Sequence, residues 1–107
     1  MKFEIRITKS AEDDLVNIYE YVFINDSPSK ADKLLENIQN IILELESFPG
    51  RGHIPPELDR INVRGFLEIH YKPYRIFYQV FDNKVYIHSI LDSRRNLSDI
   101  LQQRLIR

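Results

Sequence analysis

Cysteine is missing from all 107 residues. Its absence excludes thiol nucleophiles, zinc-thiolate centres, iron-sulfur clusters and disulfide frameworks at once, and it suits a reducing compartment. Glycine is scarce, at three residues, and two of those share one loop, so no glycine-rich segment is available to cradle a phosphate. Long hydrophobic runs are lacking as well. The longest uncharged apolar stretch, Ile38 to Leu43, is a helical turn or two and contains Gln39 and Asn40, whereas a membrane span needs about 20 apolar residues. The opening Met1-Lys2-Phe3-Glu4 carries no apolar core of the signal-peptide kind, and a cytoplasmic location is expected. The three histidines stand far apart, with neither a His-x-x-His pair nor a carboxylate cluster at ligand spacing. No metal and no other cofactor are expected.

What is present is the balance of one globular domain over residues 1–107, with 43% hydrophobic and 29% charged residues. A chain of this size buries about 65% of the surface it exposes when unfolded, enough to fold without staples. The net charge of -1 hides an asymmetry: residues 1–50 hold five Lys/Arg against ten Asp/Glu, and residues 51–107 hold ten against six. The halves are therefore -5 and +4. Eight of the nine arginines fall in the second half, which makes it the candidate anion-facing surface.

Phe3, Ile5 and Ile7 alternate with Lys2, Glu4 and Arg6, the period of a half-buried strand. Thr8 or Ser10 can cap the helix that follows, and Glu12, Asp13 and Asp14 suit the positive end of its dipole. Ser27-Pro28 starts a second helix running to about Phe48, with Ala31, Leu34, Leu35, Ile38, Ile41, Ile42, Leu45 and Phe48 on one stripe. The segment from Phe48 to Pro56 is a proline-rich and glycine-rich loop, in which His53 is expected to be solvated. Three antiparallel strands follow from Phe66, with turns at Lys72-Pro73 and Asp82-Asn83. Residues 96–106 return to helical spacing in a segment too short to stand alone, and so expected to dock.

The fold class is α+β: a two-layer β-αα-βββ arrangement, an antiparallel sheet with a helical hairpin on one face and a short C-terminal helical segment. If Ile76, Tyr78 and Val80 meet the helices, Arg75, Phe77 and Gln79 lie on a partly open face, together with Tyr86, His88 and Ile90 of the next strand. A mixed basic and aromatic sheet face suits nucleic acid or a peptide. The core pattern is complete by Leu91, so removal of Leu97 to Arg107 is expected to leave the fold largely intact.

The order β-αα-βββ, the opening Thr8…Ala11…Asp14-Leu15…Ile18…Tyr21, the loop Phe48-Pro49…Gly52…Pro56-Glu57-Leu58, the strand Tyr74-Arg75-Ile76-Phe77-Tyr78 and the ending Ile90-Leu91-Asp92-Ser93-Arg94-Arg95 together resemble the RelE/ParE toxin superfamily, over nearly the whole chain. The resemblance implies the toxin of a type II toxin-antitoxin module, with roles in plasmid stabilisation, growth inhibition and stress response. It implies a cognate antitoxin whose C-terminal segment wraps the toxin in a hetero-oligomer. RelE-like members cleave mRNA on the ribosome, whereas ParE-like members poison DNA gyrase and are not nucleases.

RNA cleavage by the 2′-OH needs a base, an acid and cations for the developing phosphorane charge. Arg75 matches an arginine of RelE-like members, and its ordinary alternative is a sheet-face arginine paired with Glu68 or Asp92. His70 and His88 alternate onto the same face, and Arg94 stands at the end of the last strand. Arg75, His70, His88 and Arg94 are therefore the catalytic candidates of a ribonuclease. Against that reading, Asp92 stands where many nuclease relatives carry His, and Leu67 where many carry Arg. The basic amphipathic tail is of a kind that ParE-like toxins often have, linked with target contact. The expected target is DNA gyrase, without enzymatic activity. The alternatives are a ribosome-dependent mRNA endoribonuclease and a non-toxic antitoxin-binding homologue. Contacts to target or antitoxin are expected from Arg64, Arg75, Phe77, Tyr86, Arg94, Arg95, Leu97, Leu101 and Arg104.

Overall fold

The computed structural model describes residues 2–106; Arg107, the last basic residue of the expected tail, lies outside them. Strand β1 (Glu4–Ile7) enters helix α1 (Lys9–Asn25), whose free first-turn Ala11 N–H donates to the Thr8 hydroxyl at 3.2 Å. Of the two possible caps, Thr8 is the one used. Ser27 caps α2 (Pro28–Leu43) by accepting from the Lys30 N–H, with Pro28 at the first helical position, where no N–H is needed. The expected run to Phe48 ends sooner: a 3₁₀ turn (Glu44–Glu46) winds the chain tighter and brings Leu45 into the core while Phe48 stays exposed.

A one-turn helix α3 (Pro56–Asp59) precedes the meander β2 (Leu67–Tyr71), β3 (Tyr74–Phe81) and β4 (Lys84–Asp92), and α4 (Ser98–Leu105) closes the chain. The sheet order is β1-β4-β3-β2. The three strands of the meander are antiparallel, but β1 joins β4 in parallel, from Glu4 beside Lys84 to Ile7 beside Ile87. The helical hairpin carries the chain from edge strand β1 toward the opposite edge strand β2, from which the meander returns to set β4 beside β1. No helix among the described residues is long and apolar enough to cross a membrane.

The hairpin covers one face as expected. Ala11, Ile38, Ile42 and Leu45 pack there against Ile69, Ile76, Tyr78, Val85 and Ile87. The opposite face is not open. Phe77 is fully buried in a second core with Leu58, Phe66, Leu91, Leu97 and Leu101, supplied by α3, the loop after it and α4. Docking of the C-terminal segment thus has a definite partner, and three expectations change. Phe77, Leu97 and Leu101 are core residues rather than contact residues, because α4 lays its apolar side on the face that the alternation had left uncovered. Ile90 turns toward the hairpin, since the register slips between Phe77 and Tyr78: Tyr78 faces Ile87 whereas Phe77 faces Ser89, so His88 is the extra residue and alternation inverts beyond it. The tail is no appendage.

Candidate functional site

Arg75 and His70 face each other across the β2–β3 ladder, and Glu68 lies two residues along β2 on the same face. Pro56 opens α3 above this face and sets Glu57 over the guanidinium. Arg75 Nη1 and Nη2 each donate to a Glu57 oxygen at 2.7 Å, while Nε and Nη2 donate to the two Glu68 oxygens at 2.6 and 2.8 Å. The Glu68 side chain is fully buried and Arg75 is only 12% exposed. Hydrogen bonds donated to Glu57 first, and to Glu68 second, raise the Arg75 pKa, and the guanidinium in turn lowers that of Glu57. The guanidinium carbon also lies 5.0 Å from the Phe77 ring centroid, the geometry of a cation–π contact.

The loop before α3 is tied to the same site. Gly52 N–H donates to the Tyr78 hydroxyl at 3.0 Å, which donates to the Pro49 carbonyl at 2.8 Å. His53 then exchanges both backbone hydrogen bonds with Glu68, at 3.0 and 2.8 Å. His53 was expected to be a solvated loop residue. Its side chain is indeed 58% exposed, but the bridge sets its Nε2 3.5 Å from one Glu68 oxygen, with His70 Nε2 2.8 Å from the other. Only glycine fits at position 52, because a Cβ there would lie 2.5 Å from the Tyr78 hydroxyl and 2.6 Å from the Glu68 carbonyl oxygen. Gly52→Ala is expected to lower stability by about 1–3 kcal/mol as the loop is levered off the strand. Denaturant titration checks this, and an unchanged midpoint would count against the latch.

The other sequence candidates are dispersed. His88 packs edge-on against Phe66, with centroids 5.7 Å apart, and its Nε2 lies 2.7 Å from Gln79 Oε1. Burial lowers its pKa below the ordinary value. The unfolded chain therefore binds more protons in the window from about pH 6.5 downward, and stability falls as pH drops through the folded pKa. His88→Gln is expected to flatten the decline in melting temperature between about pH 7 and pH 5; an equal decline in both proteins would assign it to other groups.

Arg64 pairs with Asp59 at 2.6 Å on an exposed rim, and Tyr86 faces Gln79 across the ladder. Arg94 pairs with Asp92 at 2.6 Å, which lowers the Asp92 pKa and raises that of Arg94. Arg94 and Arg95 border a cleft with Tyr21, Tyr74, Asn17 and Arg104. Behind it Arg104 Nη1 donates to Asp14 Oδ2 at 2.6 Å and lies 3.3 Å from Ser89 Oγ. Asp14 also accepts the Ile90 N–H at 3.0 Å. Asp14, expected to serve only the helix dipole, is thus a buried clamp between α1, β4 and α4.

Glu57, His53 and Asp14 went unrecognised as site residues. For Glu57 the usable signal is Pro56 at a helix start, which places an acid in a first turn facing the one arginine of the central strand.

Residues 5–97 match the family of ParE toxins of type II toxin-antitoxin systems, parDE. Among solved structures, the chromosomal ParDE system from P. aeruginosa aligns with a TM-score of 0.71 at 22% identity, over 85% of this chain and 96% of that one. The RelBE2 toxin-antitoxin complex from Mycobacterium tuberculosis aligns with a TM-score of 0.63 at 20% identity, over 86% and 99%. These likenesses speak for the fold. Among curated proteins none matches the chain. Since the family match spans all four strands and both long helices, the chain belongs to the ParE toxin family of type II toxin-antitoxin systems.

Proposed function

We propose that this toxin acts in the ParE manner, by poisoning DNA gyrase and not by cutting mRNA, and that a cognate antitoxin neutralises it in a hetero-oligomer. The observation that carries the reading is the condition of Arg75. Four hydrogen bonds, out of the five N–H donors a guanidinium has, already go to Glu57 and Glu68. With four donors spent on these carboxylates, Arg75 has little left to offer an RNA phosphate. A phosphorane-stabilising arginine needs donors aimed outward. His88 is engaged with Gln79 and Phe66 away from this cluster, and Arg94 is paired with Asp92.

With part of the sheet face covered by α4, the cleft beside Arg94 and Arg95, where Tyr21 and Tyr74 supply apolar rings, is the surface we assign to the antitoxin. Basic groups beside aromatics suit an extended segment carrying both acidic and apolar side chains.

The deciding experiment is induced expression followed by separate assays of plasmid supercoiling and protein synthesis. Loss of supercoiling with translation continuing is the expected result. Early arrest of translation with normal supercoiling would install the endoribonuclease, with His70 beside Glu68 as its first titratable candidate. No growth defect at all would leave an antitoxin-binding homologue.

A further inference from the structure

We propose that His53, Glu68 and His70 form a binding site for a divalent first-row ion of the zinc type, with two imidazole nitrogens and one carboxylate oxygen as ligands and a further position open to solvent. Along the chain the histidines stand far apart, a spacing that by itself offers no ligand set. The backbone bridge between His53 and Glu68 overcomes that spacing, because it sets the loop histidine beside β2. One ligand atom from each of the three residues lies within 4.8 Å of the other two.

Ligand atoms around a tetrahedral ion with bonds of about 2.0–2.1 Å stand roughly 3.3 Å apart. His70 Nε2 stands 2.8 Å from one Glu68 oxygen and His53 Nε2 3.5 Å from the other, so closing on a single oxygen takes a shift of at most about an ångström. Only the imidazoles need to adjust. Their rings are 5.0 Å apart between centroids, and both side chains are about half exposed.

The surroundings are those of a supported ligand set. Arg75 Nε and Nη2 grip the Glu68 carboxylate from behind, as outer hydrogen bonds fix a metal-binding carboxylate. The Glu68 backbone is held by His53 and by the β2–β3 ladder. The Glu68 carboxylate supplies an anionic ligand whose partner cation is Arg75. Arg51 lines the same cleft, but it is paired with Glu44. Two imidazoles with one carboxylate and no sulfur select zinc, cobalt or nickel over magnesium or calcium, which prefer all-oxygen shells. The site stands independently of whether gyrase or the ribosome is the target.

The test uses the full chain, freed of any polyhistidine tag, stripped with a chelator and titrated with Co²⁺ and then Zn²⁺. One Co²⁺ per chain with the visible absorption of a four- or five-coordinate ion is expected, displaced by Zn²⁺. His53→Ala and His70→Ala are each expected to weaken binding at least tenfold with circular dichroism unchanged, since neither imidazole is part of a core. Absence of binding at micromolar ion would overturn the site. So would equal stoichiometry and affinity in the wild type and the folded His53→Ala/His70→Ala double variant.

Discussion

A chain ending at Asn96 is expected to be unfolded or molten at room temperature. Deletion from Leu97 removes two fully buried leucines and strips the cover from Leu58, Phe66, Phe77 and Leu91. Each buried leucine is worth about 1.5–3 kcal/mol, and the uncovered partners lose a comparable amount between them. The sum, about 5 kcal/mol or more, meets a total stability of only about 5–15 kcal/mol for a small domain. Arg104 departs as well, leaving the buried Asp14 carboxylate with the Ile90 N–H alone. Circular dichroism and thermal melting of the truncated chain check this. A cooperative transition within a few degrees of the intact protein would restore the tail to a removable appendage. Leu101→Ala is the graded version, costing about 2–5 kcal/mol. Lost toxicity in a truncated protein therefore says nothing about target contact unless the fold is measured alongside.

Arg75→Ala is expected to cost about 3–5 kcal/mol, because it strands two carboxylates, one of them fully buried, without their cation. Replacing Arg75 by Met together with Glu57→Gln and Glu68→Gln is expected to recover much of that loss, since a buried ion pair is commonly matched by neutral groups of similar size. The comparison separates two roles that a single substitution confounds. If the triple variant folds and still poisons growth, Arg75 holds the structure and touches no substrate. A folded triple variant without toxicity would return the guanidinium to the target site. Acid titration gives an independent view of the same pairing. The Glu57 pKa is lowered by Arg75, so the unfolded chain binds more protons, and the stability the pair provides is present above the ordinary glutamate value of about 4.3 and lost as pH falls through the folded pKa. Glu57→Gln should blunt acid unfolding below about pH 4.

Local chemistry was readable where a residue acts on its own neighbours. Ser27-Pro28 starts a helix wherever it is followed by an apolar stripe, and the stripe from Ala31 to Leu45 names the buried side of α2 without knowledge of its partner. The Asp82-Asn83 hairpin follows likewise, with Asp82 at φ 56° as a tight turn between twisted strands requires. What escaped depends on partners remote in sequence. Alternation in β4 gives no warning that His88 is a bulge, so it assigns Ile90 to the wrong face. Leu97 and Leu101 read as a tail because the surface they cover is assembled from Leu58, Phe66, Phe77 and Leu91, which lie in four separate stretches of the chain and form no periodic stripe. His53 read as loop because a two-residue bridge leaves no periodicity. Glu68 was legible only as a partner for Arg75, since a carboxylate between Leu67 and Ile69 looks solvated until α3 and the loop close over it.

The parallel β1–β4 pairing has a consequence for when the protein can exist. The Thr8 hydroxyl donates to His88 across 80 positions, Asp14 holds Ile90 across 76, and Arg104 holds Asp14 across 90. Closing such long loops delays folding more than it weakens the product, since each doubling of loop length costs only about 0.6 kcal/mol. During synthesis β1 and the hairpin emerge first and wait, their apolar stripe without a sheet. The meander arrives late, and α4 follows it. A ribosome that stalls or terminates before α4 thus releases a chain that cannot assemble its second core. Assembly of both cores therefore waits on synthesis of α4, however early β1 and the hairpin have emerged.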